Sequence, residues 1–64
     1  MIIQFPDNRQ EEIYVNGRSL EQILPAIGVL PIEVIITRGD EIIPEDTIPA
    51  ESDCIRLIRI IHGG

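Results

Sequence analysis

The 64-residue sequence has no lysine, no tryptophan, one cysteine and one histidine. The single cysteine excludes an internal disulfide. Cys54 with His62 falls far short of a four-ligand zinc set, and no metal is expected. Without lysine, five arginines stand against eleven acids, for a net charge of −6. Nucleic-acid binding needs clustered cations on phosphates, so no nucleic-acid partner is expected. No apolar run approaches the ~20 residues of a membrane helix, so no membrane role is expected either. The opening residues 1–7 carry no basic segment ahead of an apolar stretch, so they do not read as an export signal. One free thiol without such a signal fits the cytoplasm. The length is a scarcity too. A domain of this size buries only about 60% of the surface of its extended chain. It cannot enclose a deep ligand pocket and keep a core, so a self-contained enzyme with its own cofactor is not expected.

What the sequence does have is isoleucine, fifteen residues of it. Dense aliphatic packing must supply the stability that disulfides or a metal often supply at this size. The acidic surface suits solubility and equally a basic protein partner.

The hydropathy pattern divides the chain into six elements. Residues 1–5 read as a strand, and Pro6-Asp7-Asn8 as a turn. Ile13-Tyr14-Val15 reads as the second strand of a hairpin, stopped by Asn16-Gly17. From Ser19 to Gly28 the period changes. Leu20, Ile23, Leu24 and Ile27 form one helical face, and Ser19 with Gln22 makes a capping box. Pro25 lies inside this stretch, so a short helix kinked or split near it is expected. Residues 34–37 form a strand, Gly39-Asp40 a tight turn with glycine first, and residues 41–43 a short strand stopped by Pro44. Residues 44–53 read as a surface loop anchored by Ile48, and residues 54–61 as a final strand apolar enough to be covered on both faces. The order β-β-α-β-β-β lets the first and last strands sit side by side in a mixed sheet of about five strands under one helix, a two-layer α+β domain.

The last two residues, Gly63-Gly64, lack Cβ atoms and can thread a channel that would exclude any branched side chain. A carboxylate at Gly64 could then reach a catalytic centre in another protein and be activated there by adenylation. Residues 1–61 would form the body, and residues 62–64 a flexible tail.

With these residues in view, the chain resembles the ThiS/MoaD family of sulfur-carrier proteins, which share the ubiquitin-like β-grasp fold. The resemblance runs through Met1-Ile2-Ile3, Val15-Asn16-Gly17 and the helix face from Leu20 to Ile27. It continues through Glu41-Ile42-Ile43-Pro44, Ser52-Asp53 and Gly63-Gly64. Its short length and its residue 41–44 and 60–64 segments are more similar to the thiamine-biosynthesis (ThiS) branch. The sequence departs from the family pattern at Ser52, at Arg38-Gly39-Asp40 and at Pro25.

The resemblance implies a co-substrate and not an enzyme. A ThiF/MoeB-type adenylating enzyme would use ATP and Mg²⁺ to form an acyl-adenylate at Gly64, with no cofactor bound by the carrier. A cysteine desulfurase or other persulfide donor would supply sulfur, leaving a C-terminal thiocarboxylate. A thiazole synthase of the ThiG type would take that sulfur, or in the MoaD branch the large subunit of molybdopterin synthase. tRNA thiolation, protein modification and a non-covalent β-grasp docking module are the competing readings. A modifier without lysine could not build chains on its own side chains.

Strand alternation adds a docking surface. If Ile55 and Leu57 face the helix, Arg56, Ile58 and Ile60 face the other way and form a patch beside the tail, with His62 in polar contact. The competing reading buries these isoleucines under a loop. Cys54 reads as a small packed or half-buried residue and not a persulfide relay, since no basic neighbour in sequence would lower its pKa. Glu45, Asp46, Glu51 and Asp53 lack calcium-loop spacing and read as a solvated acidic face.

Overall fold

A computed structural model of the chain describes residues 1–60. It contains strand β1 (Ile2–Gln4), strand β2 (Gln10–Glu12), helix α1 (Leu20–Ala26), a 3₁₀ turn (Pro31–Glu33), and strands β3 (Val34–Arg38), β4 (Glu41–Ile42) and β5 (Cys54–Arg59). The five strands form one sheet in the order β2-β1-β5-β3-β4. β1 and β5 pair in parallel at the centre, and every other pairing is antiparallel. This is the β-grasp arrangement of an α+β domain, with the first and last strands adjacent as their apolar content requires.

The helix packs on one face of the sheet. Leu20, Ile23 and Leu24 are buried against Ile3, Ile36, Ile55 and Leu57, and Ile27 packs at the margin. Met1, Phe5, Val15 and Ile43 close the ends of this core. The apolar helix face read from the sequence is therefore the face that is buried.

Pro25 does not split α1. It sits in the last turn of a single seven-residue helix that ends one residue later. There its missing N–H costs only one bond, to the carbonyl of Glu21. Gly28 adopts a φ of 82°. Its N–H donates to the Pro25 carbonyl at 3.1 Å, and the Val29 N–H donates to the Leu24 carbonyl at 2.9 Å. This paired closure satisfies the Leu24 and Pro25 carbonyls and needs the left-handed conformation that glycine adopts freely.

The first hairpin is displaced from its expected position. β2 is Gln10–Glu12 and not Ile13-Tyr14-Val15. Pro6-Asp7-Asn8 turns the chain in three residues, with Asn8 at a φ of 70°, so the return strand begins early. The Phe5 N–H donates to the Arg9 carbonyl at 2.7 Å across this turn. β2 is an edge strand with all three residues exposed, so polar residues suffice there. Ile13 still exchanges bonds of 2.8 and 3.0 Å with Met1, just past the strand.

Residues 44–53 are pinned by polar groups. Ile48 is 61% exposed and does not anchor them. The buried residue is its neighbour Pro49. The carbonyls of Thr47 and Glu45 accept from the N–H groups of Leu20 and Glu21 at 2.9 and 2.8 Å. Gln22 Oε1 accepts from the Ser19 N–H at 3.0 Å, and the Ser19 carbonyl accepts from Gln22 and Ile23. The orphan donors of the helix start are thus satisfied, half of them by the loop.

Two acids lock the loop in place, so the solvated acidic face is corrected at Glu51 and Asp53. Glu51 accepts from the Val15 and Asn16 N–H groups at 2.7 and 3.2 Å. Asp53 accepts from the Ala50 N–H at 2.9 Å and from Arg38 at 3.2 Å. These donors hold both carboxylates below their ordinary values of 4.5 and 3.8. Because both are lowered on folding, their contribution is complete above the ordinary values and is lost as pH falls through the folded ones.

Thermal unfolding followed by circular dichroism is expected to show a flat midpoint above about pH 5 and a falling one below it. Glu51→Gln should lower the midpoint at neutral pH and flatten the acid slope. An unchanged midpoint and slope in that variant would contradict the role given to Glu51.

Candidate functional site

β5 alternates from Cys54 to Ile58. Ile55 and Leu57 face the helix and are buried, while Cys54, Arg56 and Ile58 are exposed. The strand is central but covered on one face only, which corrects the expectation of cover on both. Its apolar excess lies instead on an open face of the sheet, where Ile58 is 43% exposed.

Register fixes which residues share that face. Cys54 and Arg56 lie opposite Ile2 and Gln4 of β1. Arg56 and Ile58 lie opposite Thr37 and Ile35 of β3, and Thr37 in turn lies opposite Ile42 of β4. Ile2, Ile35 and Ile42 are all exposed. The open face therefore carries four isoleucines with Arg56 among them. Arg56 and Ile58 both stand on this face. Ile60 is half-buried, and its N–H donates to the Glu33 carbonyl at 2.9 Å. His62, Gly63 and Gly64, expected to form the contact and reactive end, lie outside the described residues.

The sequence reading places none of Ile2, Ile35 and Ile42 on this face. The alternation that exposed Ile58 also applies to β1 and β3, where Ile3 and Ile36 are the buried partners. What sequence alone lacks is the register that aligns the three strands.

Cys54 is exposed at the start of β5, which corrects the packed or half-buried reading. It shares the face with Ile2 because it stands across the ladder from it. The end of β5 that carries Arg59 and leads toward the last residues is the opposite one. Among the described residues, no group of three or more His, Cys, Asp or Glu side chains is placed to hold a metal ion. Among them, no helix is long and apolar enough to cross a membrane.

Comparison with known proteins gives two informative similarities. The chain is 31% identical to an uncharacterized protein of Archaeoglobus fulgidus over 58 residues, covering 91% of this chain and 85% of that protein. It is 27% identical to the sulfur carrier protein TtuB of Thermus thermophilus over 64 residues, covering 100% of this chain and 97% of TtuB. No family model matches the chain.

Proposed function

Since the chain belongs to the same family as the Archaeoglobus fulgidus protein and is similar to TtuB from end to end, we propose that it is a ThiS/MoaD-like, ubiquitin-like sulfur carrier. The observation that carries this reading is the full-length similarity to a sulfur carrier, an alignment that takes in Gly63 and Gly64. The β-grasp body with one open apolar face supports it.

In this reading the chain is a co-substrate. The Gly64 carboxylate attacks the α-phosphate of ATP on an adenylating enzyme with Mg²⁺, and pyrophosphate leaves. The terminal sulfur of a persulfide, supplied by a cysteine desulfurase, attacks the carbonyl carbon and the bond to AMP breaks. A thiol then reduces the sulfur–sulfur bond of the acyl disulfide, leaving a thiocarboxylate. Gly63 and Gly64 thread the partner's channel because neither has a Cβ. Arg56, Ile58 and Ile60 dock the body on the partner, with His62 as a polar contact. We assign the sulfur to the thiazole of thiamine through a thiazole synthase, on the strength of the Glu41-Ile42-Ile43-Pro44 segment and the residue 60–64 sequence. All these steps belong to the cytoplasm.

The test is ATP–pyrophosphate exchange by the purified adenylating enzyme. Exchange should require this chain and vanish when Gly64 is deleted. Ile58→Asp should leave the circular dichroism unchanged and raise the KM for the carrier by about tenfold, the effect of one well-placed apolar contact. Exchange indifferent to Gly64 would contradict the carrier reading, and an unchanged KM would contradict the docking face.

Cys54 is exposed, yet it stands at the far end of β5 from the last residues. Cys54→Ser is expected to support sulfur transfer at the wild-type rate, measured as thiocarboxylate formed per minute. A large loss would make Cys54 a relay.

A further inference from the structure

Asn16 and Gly17 form the tip of a tight turn whose flanks are fastened and whose centre is not. The Arg18 N–H donates to the Val15 carbonyl at 3.0 Å and closes the turn. The Arg18 guanidinium adds bonds to the Val15 and Tyr14 carbonyls at 3.1 and 2.6 Å. Glu51 holds the Val15 and Asn16 N–H groups from the loop side. Both central residues have positive φ, 51° at Asn16 and 71° at Gly17, the signature of a type I′ turn. Two groups are left over inside this frame. Among the described residues, neither the Asn16 side-chain amide nor the Gly17 N–H has a hydrogen-bond partner. Both residues are exposed, and a Cβ at position 17 would meet nothing within 4 Å.

These two groups can react with each other. The backbone nitrogen that follows an asparagine can attack the side-chain amide carbon and close a cyclic imide. A side chain on the following residue shields that nitrogen, and glycine has none. The nitrogen gives its proton to solvent, the bond from Asn16 Cγ to Nδ2 breaks, and ammonia leaves. Water then opens the ring. Attack at Cγ gives aspartate, and attack at the main-chain carbonyl gives isoaspartate, with the main chain rerouted through Cβ. One water is taken up and one ammonia released, with no oxidant or cofactor. Asn8, the other asparagine, is better protected. Its Oδ1 accepts from Gln4 at 3.3 Å, and an arginine follows it.

We propose that Asn16-Gly17 is a site of spontaneous deamidation that undoes the Glu51 latch. The Asn16 N–H is one of the two donors that Glu51 accepts, at 3.2 Å. A carboxylate on that same residue sets like charge beside Glu51 and disfavours its ionised, hydrogen-bonded form. Isoaspartate does more, since an added backbone atom within residue 16 misaligns the turn that presents both donors. The latch joins groups 35 and 36 residues apart, so the modified chain loses a tie between the turn and the loop of residues 44–53.

The test ages the full-length chain in mildly alkaline buffer at physiological temperature. Intact mass should rise by the difference between a hydroxyl and an amino group. Fragmentation should place the change at residue 16, and isoaspartate-specific methylation should label the product. The thermal midpoint of the modified fraction should fall by about 5 °C, the scale on which a domain this small responds to losing one charge-assisted hydrogen bond. Asn16→Gly tolerates the positive φ and removes the amide, so it should fold and keep its mass and midpoint through the same treatment. No mass change at residue 16 of the wild type, or a change at Asn8 instead, overturns the modification site. Modification at residue 16 with an unchanged midpoint overturns the release of the latch. An Asn16→Gly chain that loses stability as fast as the wild type places the cause elsewhere and overturns it as well.

Discussion

The parallel ladder between β1 and β5 is the constraint on which the rest of the structure depends. It joins residues 2–4 to residues 54–56, so almost the whole chain lies inside the loop it closes. Parallel pairing needs a crossover, and here the crossover contains the helix, β3 and β4. The ladder places Ile3 beside Ile55, both fully buried, and so creates the floor on which α1 packs. Without it the helix would have no continuous apolar surface, and the domain would have no centre. The same ladder fixes which side chains face out. Ile2 with Cys54 and Gln4 with Arg56 become neighbours on the open face because Ile3 and Ile55 are neighbours on the closed one.

The placement of β5 also shapes how the domain can present its last residues. An edge strand can be peeled away by losing one ladder. β5 is bonded on both sides, by β1 and by β3. A pull on the residues beyond it meets the β3 ladder and the core first, along residues 56–59, and the β1 ladder only at residues 54–56. The loop of residues 44–53 adds to this stiffness from the other end. Its carbonyls close the start of the helix, while Glu51 and Asp53 fasten it to the segment after β2 and to β3. A domain with a small core thus holds its longest irregular segment through charge-assisted hydrogen bonds to backbone, which are stronger than neutral ones.

The elements that were legible in the sequence are those governed by period. The helix face of Leu20, Ile23, Leu24 and Ile27 and the alternation of Ile55 and Leu57 follow from side-chain direction alone. The Gly39-Asp40 turn and the Gly28 stop follow from backbone sterics. What could not be read depends on partners distant in sequence. β2 is chosen by the geometry of the Pro6-Asp7-Asn8 turn and the needs of an edge, so polar Gln10–Glu12 pairs where Ile13-Tyr14-Val15 has the higher strand propensity. Ile48 looked like the anchor of its loop because it is the large apolar residue there. The anchoring is done by Pro49 and by carboxylates whose donors lie up to 36 residues away. Cys54 was expected to pack, but register put it on the uncovered face. On that face the sequence pointed to Arg56 and Ile58, while Ile2, Ile35 and Ile42 joined them only once the strands were aligned.

The central claim is that the Gly64 carboxylate carries sulfur. Whole-protein mass spectrometry tests it most directly, after incubation with ATP, Mg²⁺, a cysteine desulfurase, cysteine, a thiol reductant and the adenylating enzyme. The expected result is a mass increase equal to one sulfur in place of one oxygen, mapped by fragmentation to Gly64. An unchanged mass with active partner enzymes, or covalent ladders on other proteins with no thiocarboxylate at Gly64, would contradict the account.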